Sequence, residues 1–534
     1  MAQEHIDASG HHIELIPGTE VFRVVENDND QEILRPRLST NPDDPLNWTR
    51  TWKFIAISTQ TVYLFASVAS ALSIGPMYPL LGAEFGLSDT QLNLLTGAAV
   101  LLLGYSNFIV VPLSNVFGRR FVAIALCTLS VGTSIWEALS GSYNVLLAAR
   151  IVNGFAISTT ETLMVQVVVD LFFLHERGFW MGVYFTAFFV GLYIGPIISG
   201  NIAAAHGWRS FFWLSTGLSA FVLVILIFFF PETKWHTVYE CTDSQNASNE
   251  GRKPSIIHNE HSQLEVEIPK QNTRGRPAKK AFRLLTTPDP RWRSFILKDI
   301  ISCAQIMFFP IVFWAGLCLA GCANLLLLWN LTQSSVLSAP PFNFSVSNVG
   351  YSNFSFLVGS LFGLATAGPL SDWYAQRATR RNNGIREAEF RLPILLPYFV
   401  LTVIGIAIGG CAVKFLWPWP VLVIMGYCLT GLCVTSIPTI AIAYAVDSYK
   451  EIAGEIMVVG TVLKNTCGFG MSYWVVSLTK SSGGNLAPVM VQLALVAGPV
   501  IFTLPLWIWG KELRRLSRDS RVHLSAMSHG STLE

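Results

Sequence analysis

The sequence predicts an all-α integral membrane protein with twelve transmembrane helices in two pseudo-symmetric six-helix halves. Of its 534 residues, 51% are hydrophobic and only 13% are charged, and the mean hydropathy is +0.46. A soluble core of this length needs far less apolar surface. The apolar residues form runs of about 20, the length that a helix needs to cross a bilayer. A short motif after Pro112 recurs after Pro369, which indicates an internal duplication.

Twelve apolar runs are long enough to span a membrane. They lie near residues 54–81, 92–113, 121–140, 144–168, 178–204, 210–230, 300–330, 349–371, 392–413, 416–446, 452–479 and 486–509. Prolines interrupt several of these runs. They affect where each predicted helix ends more than they affect the number of predicted helices. The chain then divides into an N-terminal tail, a six-helix half, a connector, a second six-helix half and a C-terminal tail, at residues 1–53, 54–230, 231–299, 300–509 and 510–534.

Basic residues fall at alternate connections between the predicted helices. They are Arg50, Lys53, Arg119, Arg120, Arg177, a cluster from Lys279 to Arg293, another from Arg377 to Arg391, Lys450, and a third cluster from Lys511 to Arg518. Because basic connections stay on the cytoplasmic side, both tails and the connector are predicted to be cytoplasmic. We expect the protein in the plasma membrane. Asn330 and Asn343 begin sequons in the predicted outward loop after the seventh helix, and we expect glycosylation there.

The composition offers no support for nucleic-acid binding or for catalysis. The formal net charge is only +2, so no nucleic-acid partner is expected. The nine cysteines lack the paired spacing of a zinc site or a disulfide scaffold, and we expect no metal or cofactor. No nucleotide-binding loop and no activated nucleophile is evident. A membrane-embedded enzyme or receptor is therefore the least supported class.

The repeated motif relates the two halves directly. The segment from Pro112 to Arg120 aligns with the segment from Pro369 to Arg377, and each copy follows the second predicted helix of its half. Two parallel six-helix halves around a site at mid-membrane form an architecture that alternates access by rocking one half against the other. The duplication therefore predicts a transporter.

From about Asn41 to Gly510 the sequence resembles the major facilitator superfamily. The matches to its loop motif in the first copy are Leu113, Ser114, Gly118, Arg119 and Arg120, and the departures are Val111, Asn115 and Val116. The resemblance implies a cytoplasmic gate that consists of Asn115, Gly118, Arg119, Arg120, Asp372 and Arg377. Because Asn115 carries no charge, an ionic latch between the halves would depend on Asp372. Alternatively, the arginines only fix topology and bind lipid head groups.

The fifth predicted helix contains the segment GLYIGPIISG. Its Gly191, Gly195, Pro196 and Gly200 resemble the antiporter signature of drug:proton antiporters. Gly191 and Gly195 share a helix face and let a neighbouring backbone approach closely, and Pro196 permits a bend. Tight packing without a role in transport is the alternative.

Ionisable residues inside predicted membrane helices cost several kcal/mol unless they are paired or hydrated. Arg150 and Glu161 lie in the fourth predicted helix, about three turns apart, which excludes a direct pair. The resemblance links Arg150 to proton coupling. Glu161 is predicted to carry the proton, because burial favours the neutral form of a carboxylate. A structural role, with Ser or Thr neighbours as its partners, is the alternative.

A substrate cavity is predicted from polar residues on several helices. Lys464 lies deep in the eleventh helix, where it attracts an anionic substrate group or pairs with a carboxylate. Asn465, Gln166 and Tyr63 are further candidates for the lining. Glu137 and Asp447 are interpreted as boundary residues.

Several segments, among them NPDDPLNW at 41–48 and FPETK at 230–234, resemble a fungal subgroup related to the drug:proton antiporters. The resemblance implies a monomeric secondary transporter that exports a drug or secondary metabolite and is driven by the proton gradient. An uptake permease for a polar or charged nutrient is the alternative. A fold does not determine substrate or direction.

Overall fold

The computed structural model describes residues 4–6, 12–14, 19–21, 44–172, 174–234, 275–284, 300–382, 385–449 and 452–518. Most of the predicted connector, most of the N-terminal tail and the end of the C-terminal tail lie outside these ranges, as does Lys450. The described chain is almost entirely helical.

Nine α-helices form the six spans of the N-terminal half. They are α1 (Arg50–Ala71), α2 (Tyr78–Phe85), α3 (Asp89–Tyr105), α4 (Asn107–Phe117), α5 (Arg119–Ala138), α6 (Tyr143–Ala156), α7 (Thr159–Leu171), α8 (Leu174–His206) and α9 (Trp208–Phe229). The first span is α1 with α2, the second α3 with α4, and the fourth α6 with α7. Three spans are thus broken, and Arg150 and Glu161 lie on different helices instead of the continuous one that the sequence predicts.

Nine further α-helices belong to the C-terminal half. A helix over 300–306 precedes α10 (Pro310–Ser338), α11 (Val346–Tyr351), α12 (Asn353–Arg381), α13 (Leu395–Lys414), α14 (Cys428–Ser448), α15 (Ala453–Ser482), α16 (Leu486–Ile501) and α17 (Thr503–Arg518). A π-helix, Val421–Tyr427, leads into α14. The eighth span is α11 with α12, and the twelfth is α16 with α17.

Short 3-10 helices and strands complete the described structure. The 3-10 helices are Pro45–Asn47, Gly75–Met77, Lys279–Phe282 and Ala388–Ile394. Strand β1 (Glu4–Ile6) pairs with β2 (His12–Glu14). Strand β3 (Thr19–Val21) pairs antiparallel with β4 (Ile385–Glu387), which follows the eighth span.

Within the described residues, nine helices are long and apolar enough to cross a membrane, or eleven if the two bent pairs, α3–α4 and α16–α17, each form one span. The one predicted span that this count omits is the eleventh, which corresponds to α15; it is 30 residues long and carries Lys464 and Asn465 near its middle. Its polar centre lies between the two halves, where neighbouring helices shield it from lipid.

The halves meet along two helix pairs that small residues bring close together. In the first pair, a Cβ atom added to Gly97 of α3 would lie 1.8 Å from the Ser472 hydroxyl oxygen of α15. In the second, one added to Gly200 of α8 would lie 2.9 Å from the Val346 carbonyl oxygen of α11. We call the end of the bundle that carries Arg119 and Arg391 the basic end, and the other the opposite end.

Candidate functional site

A central cavity lies between the two halves. It has about 1110 Å³ of empty space, counting its opening. Four aromatic side chains of α8 form one wall: Tyr184, Phe185, Phe188 and Phe189. The polar lining residues include Tyr78, Thr96, Glu161, Asn324, Asn330, Thr461, Lys464 and Asn465. The cavity therefore combines an aromatic surface with a small number of polar groups, which is typical of a site for an organic molecule.

Glu161 and Lys464 form an ion pair in the wall of this cavity, between Oε1 and Nζ. The Asn465 amide donates a hydrogen bond to Oε2 of Glu161 at 3.2 Å. The Lys464 and Glu161 side chains are only 16% and 5% exposed. Because Glu161 belongs to the N-terminal half and Lys464 to the C-terminal half, the pair joins the two halves at the cavity.

The local folds of α7 and α15 position this pair. The break between α6 and α7 places Glu161 in the first turn of α7, where the helix dipole favours a negative charge. The Tyr184 hydroxyl donates to the Glu161 backbone carbonyl at 3.2 Å, and the Asn324 amide donates to the Lys464 carbonyl at 3.1 Å. The Lys464 ammonium also lies 5.8 Å from the centre of the Phe188 ring, within range of a cation–π contact.

Arg150 forms a second buried pair, with Glu137. The Nη1–Oε1 distance is 3.5 Å, and the side chains are 0% and 1% exposed. Arg150 also donates to the backbone carbonyls of Ala71 and Leu95. The interpretation of Glu137 as a boundary residue is therefore wrong, because its carboxyl group is buried inside the bundle beside the Arg150 guanidinium.

The glycines of the fifth span lie where two other helices approach α8. A Cβ atom added to Gly191 would lie 2.9 Å from the Phe65 carbonyl oxygen, and one added to Gly195 would lie 2.5 Å from that of Ala69, both in α1. Gly200 is close to α11 of the other half. Pro196 lies inside α8, and the helix continues past it without a break. The glycines thus let α8 pack closely against α1 in its own half and against α11 in the other half.

At the basic end, the first copy of the repeated motif is bound within the N-terminal half. Glu232 accepts hydrogen bonds from the backbone N–H groups of Arg119 and Arg120, at 2.9 and 3.1 Å. The Arg119 guanidinium pairs with Asp170 at 2.9 Å. Gly118 has φ +98°, and a Cβ atom there would lie 2.2 Å from a Glu232 carboxylate oxygen. Only glycine fits this turn.

The second copy is bound within the C-terminal half. Asp372 pairs with Arg391 at 2.6 Å, and Arg391 also pairs with Asp447 at 2.8 Å. Arg377 lies over the Trp373 ring, 5.6 Å from its centre. Asp372 therefore pairs with an arginine of its own half, whereas the sequence analysis expected a latch between the halves. Asp447 forms an ion pair and is not the boundary residue that the sequence analysis expected. Sequence spacing does not identify which of several nearby arginines a carboxylate contacts.

The comparison with protein families identifies the class to which this architecture belongs. Residues 61–471 match the family described as the Major Facilitator Superfamily. The chain belongs to the major facilitator superfamily. It is therefore a multi-pass membrane transporter and not an enzyme.

Similar facilitators share most of their length with this chain. Protein HOL1 of Saccharomyces cerevisiae is 27% identical, with 90% of each chain covered. Probable efflux pump mfs2 of Aspergillus flavus is 25% identical, with 84% of this chain and 100% of that protein covered. The crystal structure of the human organic anion transporter MFSD10 (TETRAN) aligns with a TM-score of 0.53 at 16% identity, over 84% of this chain and 99% of that one. This likeness supports the facilitator fold.

In this facilitator, two of the four predicted lining residues reach the central cavity. Lys464 and Asn465 line it, as described above. Gln166 instead contacts Ser114 at 2.7 Å and Asn115 at 3.5 Å, beside a smaller cavity nearer the basic end. Tyr63 is buried, and its hydroxyl shares a 2.7 Å hydrogen bond with Thr159.

The two sequons have different surroundings. Asn330 is half-buried inside α10 and lines the central cavity, so it is not in the predicted loop. The helix continues for two turns past Asn330 because the first breaking residues come at Pro340 and Pro341. Asn343 lies in the exposed turn that follows α10.

Sequence reasoning missed the aromatic wall of α8 and the partners of the charged residues. Phe185, Phe188 and Phe189 belong to a largely apolar membrane helix, and in such a helix the sequence does not indicate which aromatic side chains face a cavity and which face lipid or other helices. In the described part of the chain, no three His, Cys, Asp or Glu side chains converge to hold a metal ion.

Proposed function

We propose that this facilitator is a proton-coupled exporter of small organic molecules that works by alternating access in the plasma membrane, with both tails in the cytoplasm. One observation carries the proposal: a buried carboxylate in the wall of an aromatic cavity is paired with an ammonium group of the opposite half. Such a pair responds to both a proton and a cargo molecule.

Glu161 is the proton-binding group in this mechanism. In its ionised form it holds Lys464, and the contact opposes separation of the halves at the cavity. A proton on Glu161 removes the negative charge and with it most of the attraction. Proton binding and rocking of the halves then become linked, because the proton favours the conformation in which the pair is apart.

The cavity supports an organic cargo better than a small ion. Its aromatic wall stabilises flat or apolar groups by contact area, and Lys464, Asn465 and Asn324 offer hydrogen bonds that orient a polar group. The relative from Aspergillus flavus is a probable efflux pump, which supports export as the direction. Function as a monomer and glycosylation at Asn343 remain part of the proposal.

The test measures accumulation of labelled lipophilic drugs and polar nutrients in transporter-deficient yeast that express the protein, with and without a protonophore. Export predicts lower accumulation than in empty cells, and the protonophore should abolish this difference. Higher accumulation that the protonophore abolishes would instead establish an uptake permease.

The role of Glu161 is tested with Glu161→Gln. This variant should lose gradient-driven export, because it cannot change charge, but it should retain exchange of labelled for unlabelled cargo across the membrane. Glu84→Gln is the matched control, since Glu84 forms a pair with Arg209 that is about 40% exposed. Gradient-driven export by Glu161→Gln at the control rate would remove Glu161 from the mechanism.

A further inference from the structure

Residues 275–284, a short part of the connector, are bound to the N-terminal half at the basic end. The Gly275 carbonyl accepts hydrogen bonds from the Thr49 backbone N–H group at 3.3 Å and from the Thr49 hydroxyl at 2.9 Å. Further along, the Ala281 carbonyl accepts a hydrogen bond from the Glu232 backbone N–H group at 2.8 Å. We call residues 275–284 the connector segment. These bonds fix both of its ends to the N-terminal half.

An aromatic side chain adds a third attachment. The centre of the Phe282 ring lies 5.5 Å from the guanidinium carbon of Arg120 and 6.2 Å from the centre of the Trp52 ring. Arg120 in turn donates hydrogen bonds to backbone carbonyls at the end of α9, among them Leu226 at 3.2 Å and Ile227 at 2.7 Å. The connector segment is thus held against the beginnings of α1 and α5 and the end of α9.

The connector segment lies at the level of the lipid head groups. Phe54 near the start of α1 and Phe229 at the end of α9 are 60% and 52% exposed, and both belong to helices that are long and apolar enough to cross a membrane. Exposed apolar side chains on such helices face the hydrocarbon of the bilayer. Thr49 and Glu232, which bind the segment, are only a few residues beyond these phenylalanines. The segment therefore lies just outside the hydrocarbon.

The ionisable side chains of the connector segment are all basic and all exposed. They are Arg276, Lys279, Lys280 and Arg283. Arg50, at the start of α1, is exposed as well. Within the part of the chain that the structure describes, none of these cations forms an ion pair with a carboxylate. By contrast, Arg119, Arg391 and Arg514 at the same end each pair with a carboxylate.

We infer that the connector segment, together with Arg50, is a binding site for anionic phospholipids of the adjacent leaflet. Their phosphate groups supply the negative charge that the described protein lacks at this place. Basic residues beside a membrane span attract anionic head groups, and each Lys or Arg near the surface adds to the attraction. Lipid is a ligand distinct from the cargo, so the inference does not depend on the proposed function.

The fixed position of the connector segment distinguishes this site from a flexible basic tail. A flexible chain loses conformational freedom when it binds, whereas a segment already held by hydrogen bonds and by Phe282 loses less. Affinity should therefore depend both on the unpaired charges and on the attachment of the segment to the N-terminal half.

The experiment measures binding of a fluorescent short-chain phosphatidylserine to the purified full-length protein in a neutral detergent, followed by fluorescence anisotropy. The matching phosphatidylcholine serves as the neutral lipid, and inorganic phosphate serves as the free anion. We expect phosphatidylserine to bind and phosphatidylcholine to bind far more weakly. Added salt should weaken the binding, because exposed charges are screened, and inorganic phosphate should compete no better than chloride at equal ionic strength.

The charges are tested with the double variant Lys279→Gln and Lys280→Gln. It should bind phosphatidylserine about thirtyfold more weakly, the loss expected for two cations beside a lipid surface. Lys279→Arg with Lys280→Arg should bind normally, because both charges remain. The matched control is Lys511→Gln with Arg515→Gln, which removes two cations of the same end that already pair with carboxylates. Its affinity should be nearly unchanged.

The attachment is tested with Phe282→Ala. This variant leaves every charge in place but removes the ring that contacts Arg120 and Trp52. It should bind phosphatidylserine about fivefold more weakly, since the segment then loses freedom on binding. Phe282→Tyr, which keeps the ring, should bind like the unaltered protein.

Each result bears on a different part of the inference. Absence of phosphatidylserine binding, or an equal loss of affinity in the Lys279/Lys280 and Lys511/Arg515 glutamine variants, would overturn the site. Full affinity of Phe282→Ala would overturn the role of the attachment. Competition by inorganic phosphate where chloride has no effect would identify a free anion as the ligand and would overturn the assignment to lipid.

Discussion

At the scale of single residues, the main feature is a full positive and a full negative charge held in contact at the centre of the bundle. Glu161 and Lys464 are both largely buried, and each would be costly alone in this environment. Their contact offsets part of that cost, and Asn465 satisfies the second carboxylate oxygen. The stability of the protein should therefore depend on the pair as a unit.

Lys464→Gln should destabilise the protein by about 3–5 kcal/mol, the usual cost of leaving a buried charge without its partner. The double variant with Glu161→Gln should recover most of this loss, because both charges are then gone. Thermal unfolding of the purified protein measures both effects. Lys480→Gln is the control, since Lys480 is an exposed residue in the last turn of the same helix. A double variant no more stable than Lys464→Gln would show that the pair is not coupled.

The sequence indicates that Glu161 and Lys464 are important but does not indicate that they meet. Hydropathy and helical periodicity identify charges that lie in the wrong environment, whereas the partner of each depends on how the halves pack. Glu137 illustrates the same limit. Its position near a predicted helix end suggested a boundary, and only the tertiary contact with Arg150 shows that it is buried.

At the scale of helices, α8 is the element whose packing depends most clearly on small residues. A Cβ atom at Gly195 would lie 2.1 Å from the Ser73 hydroxyl oxygen and 2.5 Å from the Ala69 carbonyl oxygen. The hydroxyl could rotate away, but the carbonyl belongs to the backbone of α1. The two helices would have to separate.

Gly195→Ala should therefore lower stability by about 1–3 kcal/mol, the range for overpacked sites, and should reduce transport. Gly217→Ala in α9 should leave both unchanged, because no atom lies within 4 Å of the added methyl group. Thermal unfolding and cellular accumulation of cargo provide the two measurements. Full stability and transport for Gly195→Ala would contradict the close contact.

Helix interruptions were predictable where proline causes them and not elsewhere. Pro76 marks the break after α1, but the break between α6 and α7 contains neither proline nor glycine. The hydroxyls there compete with helical hydrogen bonds: Ser158 donates to the Phe155 carbonyl and Thr160 to that of Ile157, both at 2.8 Å. Such local bonds are common in regular helices as well, so the sequence alone does not indicate a break.

At the scale of the whole molecule, the duplication extends from the sequence motif to the ion pairs. Arg119 at the start of the third span pairs with Asp170 at the end of the fourth. Arg391, just before α13, pairs with Asp447 at the end of the tenth span in the same way. The repeated motif predicted two related halves correctly, because hydropathy and topology are strongly constrained in a membrane. It did not predict that the charged residues of each copy would form ion pairs within their own half.

The halves should associate even when the chain between them is cut, because they are in direct contact. Helix α3 packs against α15, and α8 packs against α11 and α12. Fragments 1–254 and 255–534, expressed together, should co-purify and transport cargo at a rate similar to that of the intact protein. Either fragment alone should not transport, since the cavity needs walls from both. Co-expressed fragments that fail to co-purify would show that the covalent link is required for assembly.

The ion pair at the cavity also bears on what the protein does when it is idle. A carrier with an unoccupied carboxylate on its pathway can shuttle protons without cargo and so dissipate the gradient on which the cell depends. In the conformation described here, both oxygens of the Glu161 carboxylate are occupied, Oε1 by the Lys464 ammonium and Oε2 by the Asn465 amide. If Glu161 carries the proton as proposed, the empty carrier should conduct little current until a cargo molecule separates the pair.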